Sequence, residues 1–274
     1  MASALHFHRD GVELAGIDFG GEGPAVLLLH GLAGYAGEWT ETAGWLRERA
    51  HVVALDARGH GHSERNPADV SRAAHVADAA YAVERFGLSP VVVVGHSLGG
   101  LTALLLAAEH PHLVRGLVMA DAGPRGGGEA ASRDQAVAKL GDSLRRWPVP
   151  FASVDDAVEF FGGPGLAAEA WAGGLELRDD GWWPRFDVDV MIRTLQEAIG
   201  RSYWDAWERV VWPSLVVRSG EEYLPADDAA LMVASGRDAR LVELPEATHD
   251  LHLDRPGEWR AALSEFIDSL GSRQ

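Results

Sequence analysis

The stretch from residue 91 to residue 100 constrains the fold of this chain more than any other. Four consecutive valines at 91–94 are typical of a strand that is buried on both faces. Residues 95–99 follow with the spacing G-x-S-x-G, and residues 101–108 are good helix formers. A strand, a sharp turn and a helix in this order form a nucleophile elbow, which exposes the serine hydroxyl at the edge of a sheet. The sequence therefore predicts that Ser97 is a nucleophile.

The rest of the chain alternates between strand and helix patterns. Apolar runs that predict further buried strands lie at 25–29, 51–56, 114–120, 214–219 and 240–244. Helix-forming stretches separate most of these runs, which is typical of a parallel sheet with helices on both faces. We therefore expect the α/β class, with a doubly wound, mostly parallel sheet.

The pattern changes between residues 125 and 212, where we find no buried strand run. Helical patches near 131–146, 153–161 and 188–199 are separated by glycine-rich breaks. We predict that residues 1–124 and 213–274 form one core domain. Residues 125–212 are then a helical cap inserted into that domain.

The cap segment is rich in tryptophan and contains seven of the ten tryptophans of the chain. Rigid aromatic side chains each bury a large area, which suits an apolar or ring-containing substrate. We predict that Trp183 contacts the substrate. The alternative is that the tryptophans form the cap's own small core and its contact with the sheet.

Composition limits the classes of function. A net charge of −17 argues against partners such as nucleic acids and anionic membranes. The absence of cysteine excludes disulfides, thiolate metal sites and a thiol nucleophile. The first ten residues lack the apolar run of a signal peptide, and no stretch approaches the roughly 20 apolar residues that span a bilayer. We expect a cytoplasmic enzyme that acts on a small molecule, and the oligomeric state stays open.

A serine hydroxyl is a weak nucleophile until a base accepts its proton, so Ser97 needs a histidine. His249 follows the last predicted strand, in a loop that opens at the carboxyl edge of the sheet, where Ser97 also lies. The spacing of His252 toward the closing helix favours a packing role instead. We therefore predict His249 as the general base.

The oxyanion of a tetrahedral intermediate needs preorganised hydrogen-bond donors. One expected donor is the amide of Leu98, directly after the nucleophile. The second is expected in the loop after the strand at 25–29, which reads His30-Gly31-Leu32. Gly31 lets the backbone approach closely, so that the amide of Leu32 can point inward.

Together these motifs resemble the α/β-hydrolase superfamily over nearly the whole chain. The resemblance rests on His30-Gly31 after a strand, the pattern D-x-R-G-x-G-x-S at 56–63, the elbow at 95–100 and the late His249. It implies a serine hydrolase without cofactor or metal, and a mainly structural role for the loop at 58–63. A serine at the elbow in place of an aspartate argues against the haloalkane dehalogenases and epoxide hydrolases of this fold.

The third catalytic residue departs from the pattern of the superfamily. The superfamily usually has an aspartate after the strand that follows the cap, but Tyr223 stands at that position here. Glu221 or Glu222 would reach His249 from the same loop. Asp121 instead lies at the end of an earlier strand, from which haloalkane dehalogenases and the lactonases that open zearalenone take their acid. Either carboxylate would orient the imidazole and stabilise the imidazolium.

We expect a hydrolase that cleaves an ester or lactone bond of an apolar or ring-containing small molecule through an acyl-enzyme on Ser97. Amide or carbon–carbon bond hydrolysis and cofactor-free haloperoxidase or perhydrolase chemistry use the same apparatus and stay open. The displaced aspartate also leaves open a non-catalytic α/β-hydrolase fold that binds a ligand.

Overall fold

The computed structural model describes residues 2–126, 130–221, 223–235 and 238–271. Its strands, in chain order, are β1 (Ser3–Arg9), β2 (Val12–Gly20), β3 (Ala25–Leu29), β4 (His51–Asp56), β5 (Val91–His96), β6 (Val114–Ala120), β7 (Arg125–Gly126), β8 (Leu175–Arg178), β9 (Gly181–Pro184), β10 (Arg201–Ser202), β11 (Ser214–Ser219) and β12 (Ala239–Leu244). Its helices are α1 (Thr40–Leu46), α2 (Arg72–Arg85), α3 (Leu98–Glu109), α4 (Ala130–Arg145), α5 (Val154–Phe160), α6 (Leu166–Gly173), α7 (Val188–Ala198), α8 (Trp204–Arg209), α9 (Ala226–Ala234), α10 (Leu251–Asp254) and α11 (Pro256–Gly271).

Eight of the strands form one mixed sheet, in the order β1-β2-β4-β3-β5-β6-β11-β12. β2 runs antiparallel to β1 and to β4, and the other pairs are parallel. Val91 and Val93 of β5 belong to the hydrophobic cluster on one face, and Val92 and Val94 belong to the cluster on the other. Because β5 is buried on both faces, its valine run is continuous rather than alternating. The predicted α/β fold with a doubly wound, mostly parallel sheet is confirmed.

The insertion between β6 and β11 is mainly helical. α4, α5 and α7 correspond to the three helical patches predicted from the sequence, whereas α6, α8 and the hairpin β8–β9 were not predicted. Each hairpin strand has four residues and only one buried residue, so neither shows an apolar run. The domain boundaries placed near 125 and 212 stay a prediction. None of the described helices is long enough and apolar enough to cross a membrane.

Parallel pairing brings the ends of four strands to one edge of the sheet. β5 ends directly before Ser97, and β6 ends directly before Asp121. β11 ends at Ser219, and the loop after β12 leads to His249. The carboxyl ends of parallel strands are where open α/β sheets bind their ligands, so this edge is the place to look for a site.

Candidate active site

Ser97 lies in the sharp turn between β5 and α3. Its backbone has φ 50° and ψ −116°, outside the regions that residues with a side chain favour. A Cβ on Gly95 would collide with the backbone of Gly99, and a Cβ on Gly99 would collide with the carbonyl of Leu29. The turn therefore holds Ser97 in one geometry, at a cost of about 1–3 kcal/mol that the packed surroundings offset.

His249 connects Ser97 to Asp121. Its Nε2 lies 2.8 Å from Ser97 Oγ, and its Nδ1 lies 2.7 Å from Asp121 Oδ2. Because an ionised carboxylate only accepts hydrogen bonds, Nδ1 carries the proton and Nε2 accepts the hydroxyl of Ser97. The three side chains form the arrangement that can activate a serine hydroxyl.

Asp121 is buried at the end of β6, and donors fix both of its carboxylate oxygens. Oδ1 accepts from the Ser219 N–H at 3.1 Å, and Oδ2 accepts from the Ser219 hydroxyl at 2.8 Å as well as from His249. The Ser219 hydroxyl in turn accepts from the Glu221 N–H at 3.1 Å. These hydrogen bonds hold the carboxylate in one orientation, facing the imidazole.

Of the two glutamates proposed as the acid, the structure describes Glu221, and its side chain does not contact the imidazole of His249. The Glu221 side chain accepts from the backbone N–H of His249 at 3.2 Å, so it contacts the loop rather than the ring. Glu222 lies outside the described residues. Tyr223 stacks on the His249 ring, with centroids 3.7 Å apart and planes inclined by 16°. Among the candidates that the structure describes, the geometry favours Asp121.

His96, the residue before the nucleophile, supports His249 through the backbone. Its Nε2 donates to the carbonyl of His249 at 2.9 Å, and the two rings lie 4.7 Å apart. Burial lowers the pKa of His96 to about 4, so the ring is neutral at neutral pH. His96 is not among the site residues predicted from the sequence, although its position directly before Ser97 in the elbow indicates that it lies near the site.

The loop after β3 is held rigidly beside the elbow. His30 Nδ1 donates to the Gly31 carbonyl at 2.7 Å, and Nε2 accepts from the Ala57 N–H at 2.9 Å. A Cβ on Gly31 would lie 3.4 Å from the Ser97 Cβ and still closer to the His96 ring, so only glycine allows this approach. The loop is thereby placed against the nucleophile.

The amides of Leu32 and Leu98 are the predicted oxyanion donors. Leu98 opens α3, and the first N–H groups of a helix have no acceptor within it. Neither amide donates to another backbone group among the described residues. Both are therefore available for an oxyanion beside Ser97.

A cavity with about 350 Å³ of empty space, part of it open to solvent, lies between the insertion and the loop that carries His249. Trp147, Trp171 and Phe186 of the insertion are among its lining residues, as is Asp250. The Trp171 indole donates to Asp250 Oδ2 at 2.8 Å, which ties the insertion to the residue after His249. The aromatic wall suits an apolar or ring-containing group.

Trp183 does not line this cavity. Its indole donates to Asp180 at 2.8 Å, and the Arg178 guanidinium lies 5.2 Å from its ring centre. Successive strand residues face opposite ways, and it is Trp182 that packs against the inner aromatic cluster of the insertion. The contacts of Trp183 therefore give no support to the predicted substrate contact, which Trp147 and Trp171 are better placed to make.

Glu38, His96 and His252 form a buried cluster whose possible metal-ligand atoms all lie within 4.8 Å of one another. Glu38 Oε1 lies 3.5 Å from His252 Nε2, and His96 bonds to the carbonyl of His249. Among the described residues, Glu38 Oε1 and both ring nitrogens of His252 have no hydrogen-bond partner. Burial raises the pKa of Glu38 to about 7 and lowers the pKa of His252 to about 4. His252 also stacks on Trp39, with centroids 4.3 Å apart, in line with a packing role.

Comparison with known proteins identifies the family. Residues 24–256 match the family described as the alpha/beta hydrolase fold. The chain therefore belongs to this family, as the fold and the arrangement around Ser97 indicate.

Several relatives are hydrolases. The chain is 27% identical over 257 residues to a 2-(acetamidomethylene)succinate hydrolase of Mesorhizobium japonicum, covering 91% of this chain and 90% of the relative. It is 29% identical over 263 residues to an esterase of Mycobacterium tuberculosis, covering 93% and 85%. A segment of 105 residues, 38% of this chain, is 41% identical to an sn-1-specific diacylglycerol lipase of Mus musculus but spans only about a third, 34%, of that lipase.

A solved structure has the same fold. The crystal structure of an E-2-(acetamidomethylene)succinate hydrolase superposes on 98% of this chain with a TM-score of 0.87, and all of that protein is covered. The sequences are 24% identical over this alignment, so the likeness speaks for the fold alone.

Proposed function

We propose that this chain is a carboxylic ester hydrolase that forms an acyl-enzyme on Ser97. The hydrogen-bonded series Ser97–His249–Asp121, with distances of 2.8 and 2.7 Å, carries the proposal. Membership of the alpha/beta hydrolase family and the similarity to an esterase support it.

In the first proposed step, Ser97 Oγ attacks the ester carbonyl while His249 Nε2 takes the hydroxyl proton. Asp121 stabilises the imidazolium that forms, and the amides of Leu32 and Leu98 hold the oxyanion. The imidazolium then gives its proton to the leaving alkoxide. The alcohol departs, and the acyl group stays on Ser97.

The second step releases the acid. His249 Nε2 takes a proton from water, and the water oxygen attacks the acyl carbonyl. Collapse of the tetrahedral intermediate breaks the bond to Ser97 Oγ, and His249 returns the proton to that oxygen. One ester and one water become one acid and one alcohol.

The substrate is a small molecule with an apolar or ring-containing group. The aromatic cavity supports this part of the proposal, because Asp250 in its wall directly follows His249 in the chain. From the net charge and the hydropathy of the chain, we also propose that the enzyme acts in the cytoplasm, with neither nucleic acid nor a membrane as its partner.

Hydrolysis of an amide-type carbon–nitrogen bond is a second candidate. It is favoured by one of the relatives that align over most of both chains, which is named for a substrate with an acetamido group. The steps are the same, except that His249 protonates a leaving nitrogen.

A lactone differs from an ester only in that the alcohol stays attached to the acyl group.

The test is a substrate panel. It consists of p-nitrophenyl esters of increasing chain length, lactones of several ring sizes and a p-nitroanilide, assayed with the wild type and Ser97→Ala. We expect ester turnover in the wild type and a loss of about 10³-fold or more in Ser97→Ala. Turnover of the anilide without turnover of any ester would favour the second candidate. If no substrate is turned over and a fluorophosphonate probe leaves Ser97 unlabelled, both candidates fail and a ligand-binding role remains.

A further inference from the structure

A second cavity borders the proposed oxyanion site. It has about 490 Å³ of empty space, part of it open to solvent, and Gly31 and Leu98 are among its lining residues. Unlike the aromatic cavity, its wall contains several buried polar side chains. These are His30, Asp56, His60, Arg72, His75, Asp78 and Thr102.

Arg72 is the unusual member of this wall, because it is 5% exposed and has no carboxylate partner among the described residues. Its Nη1 donates to the Thr102 hydroxyl at 3.3 Å, while Nε and Nη2 have no hydrogen-bond partner in the described part of the chain. Burial lowers the pKa of Arg72 to about 10, so the guanidinium keeps its charge at neutral pH. A buried cation without a counter-charge is costly, which makes an anion the fitting ligand.

No carboxylate among the described residues hydrogen-bonds to this guanidinium, although the charges of Tyr203 and Glu197 oppose the lowering of its pKa. Burial lowers the pKa of His60 to about 3 and lowers that of His75 as well, so both rings are neutral. Of the acidic residues in the wall, Asp78 accepts a two-point hydrogen bond from Arg58, and Asp56 accepts from two backbone N–H groups. Each carboxylate is therefore already paired with other donors.

The geometry of the free guanidinium atoms matches a carboxylate. Nε–H and Nη2–H lie on the same edge of the planar group, so they can donate in parallel to the two oxygens of one carboxylate. We propose that Arg72 binds a carboxylate on the acyl part of the substrate. This inference rests on the proposed function and names the class of substrate: the ester of a dicarboxylic acid.

The cavity's position assigns the carboxylate to the acyl part rather than to the leaving group. Gly31 and Leu98, at the proposed oxyanion site, line this cavity, whereas the wall of the aromatic cavity contains Asp250, the residue after His249. We therefore assign the acyl part to this cavity and the leaving group to the side of His249. Thr102 connects the two places, because its hydroxyl accepts from Arg72 and donates to the carbonyl of Leu98 at 3.2 Å. From Leu98 to Thr102 is about 6 Å along α3. Four carbon–carbon bonds of about 1.5 Å span roughly 5 Å in an extended zigzag, so a spacer of about three carbons between the two carbonyl carbons comes near this distance.

The first measurement compares two p-nitrophenyl esters of equal length, a glutarate monoester with a free carboxylate and its neutral methyl ester. For the wild type we expect a higher kcat/KM on the free acid. In Arg72→Leu we expect this preference to fall on the order of 10- to 100-fold, because a charge-assisted hydrogen bond is lost. The kcat/KM for the neutral ester should stay within a few-fold. An unchanged preference in Arg72→Leu overturns the inference.

Two control variants accompany Arg72→Leu. Arg145→Leu removes an arginine that is exposed on α4 and paired with Asp189, so its preference should equal that of the wild type. Arg72→Lys keeps the charge without the planar pair of donors and should retain part of the preference. Were Arg72→Leu not to fold, Arg72→Lys and Arg72→Gln would serve in its place.

A binding measurement separates this inference from the proposed function. Monomethyl glutarate, dimethyl glutarate and sodium formate are titrated calorimetrically into Ser97→Ala, with and without Arg72→Leu. We expect the monomethyl ester to bind in an Arg72-dependent manner and more tightly than the neutral diester. Formate binding as tightly as the monomethyl ester would mean that a free anion occupies the cavity, which overturns the inference. Arg72-dependent binding of the monomethyl ester without turnover in the wild type would contradict the proposed function alone.

Discussion

The hydrogen bonds of the structure favour Asp121, at the end of β6, as the acid of the proposed site. Its carboxylate receives hydrogen bonds from Ser219 and from His249, and the ring of Tyr223 lies on the imidazole where that loop passes. With Asp121 as the proposed acid, the loop after β11 contributes an aromatic contact instead of a carboxylate. The imidazole is then fixed by a hydrogen bond at one nitrogen and by a ring on one face.

We predict that Asp121→Asn lowers kcat by about 10³- to 10⁴-fold, because an amide favours the wrong imidazole tautomer and cannot stabilise the imidazolium. Glu221→Gln is the matched control, since this side chain bonds to the backbone N–H of His249. Its kcat should change by no more than a few-fold. Steady-state rates on a p-nitrophenyl ester check both, and a larger loss in Glu221→Gln than in Asp121→Asn would assign the acid to the loop after β11.

We predict that Tyr223 is a positioning residue for His249. Tyr223→Ala should lower kcat by roughly 5-fold, the scale of an aromatic contact of about 1 kcal/mol, while the melting temperature stays unchanged because the side chain is 63% exposed. Tyr223→Phe keeps the ring and should restore the rate. A Phe variant as slow as the Ala variant would show that the hydroxyl, not the stacking, matters.

The loop after β4 and the helix α2 are joined by the pair Arg58–Asp78. The two guanidinium-to-carboxylate distances are 2.7 and 2.8 Å, and both side chains are largely buried. This contact explains the structural role that the superfamily resemblance implied for residues 58–63. It also fixes the position of α2, whose first residue is Arg72.

We predict that Arg58→Met lowers the free energy of unfolding by about 3 kcal/mol, because it leaves the buried Asp78 with an incomplete set of partners. Arg145→Met, on the exposed face of α4, should change it by less than about 0.5 kcal/mol. Urea unfolding followed by circular dichroism measures both. Equal small effects in the two variants would contradict a supporting role for the buried pair.

The elements that the sequence predicted well are those with a strong pattern. β5 and its elbow are recognisable from a valine run and two glycines, and His249 from its place after the last strand. The sequence could not decide which residue is the acid, because the spacing along the chain suits both Asp121 and Glu221. Only the folded chain shows that Asp121 contacts the imidazole of His249, whereas Glu221 contacts its backbone N–H. Trp183 was chosen for its residue type, which does not reveal the face of the hairpin it occupies.

Burial of neutral histidines couples the stability of the whole molecule to pH. Burial lowers the pKa of His96 and of His252 to about 4, and that of His60 to about 3. Unfolded histidine titrates near pH 6.5. Below that pH the unfolded chain binds protons that the folded chain does not, so the stability present above pH 6.5 is lost as the pH falls. Glu38, whose pKa burial raises to about 7, acts in the opposite direction but is outnumbered.

We therefore predict that the melting temperature falls as the pH is lowered from 7 to 4.5. His252→Leu removes one of the buried histidines. The slope of the free energy of unfolding against pH should therefore fall by roughly 1.4 kcal/mol per pH unit between pH 6 and 4.5. His8→Leu, on the exposed face of β1, is the control and should leave the slope unchanged. Thermal or urea unfolding across this pH range measures the effect, and equal slopes in the wild type and His252→Leu would contradict it.

The proposed reaction and the proposed substrate class both require that Ser97 is a nucleophile and that His249 activates it. The most direct measurement is intact-mass and peptide-level mass spectrometry after reaction with a fluorophosphonate. We predict one phosphonyl group per chain on Ser97, with labelling lost in Ser97→Ala and slowed by at least about 100-fold in His249→Ala. A label on another residue, or equally fast labelling of Ser97 in His249→Ala, would contradict it.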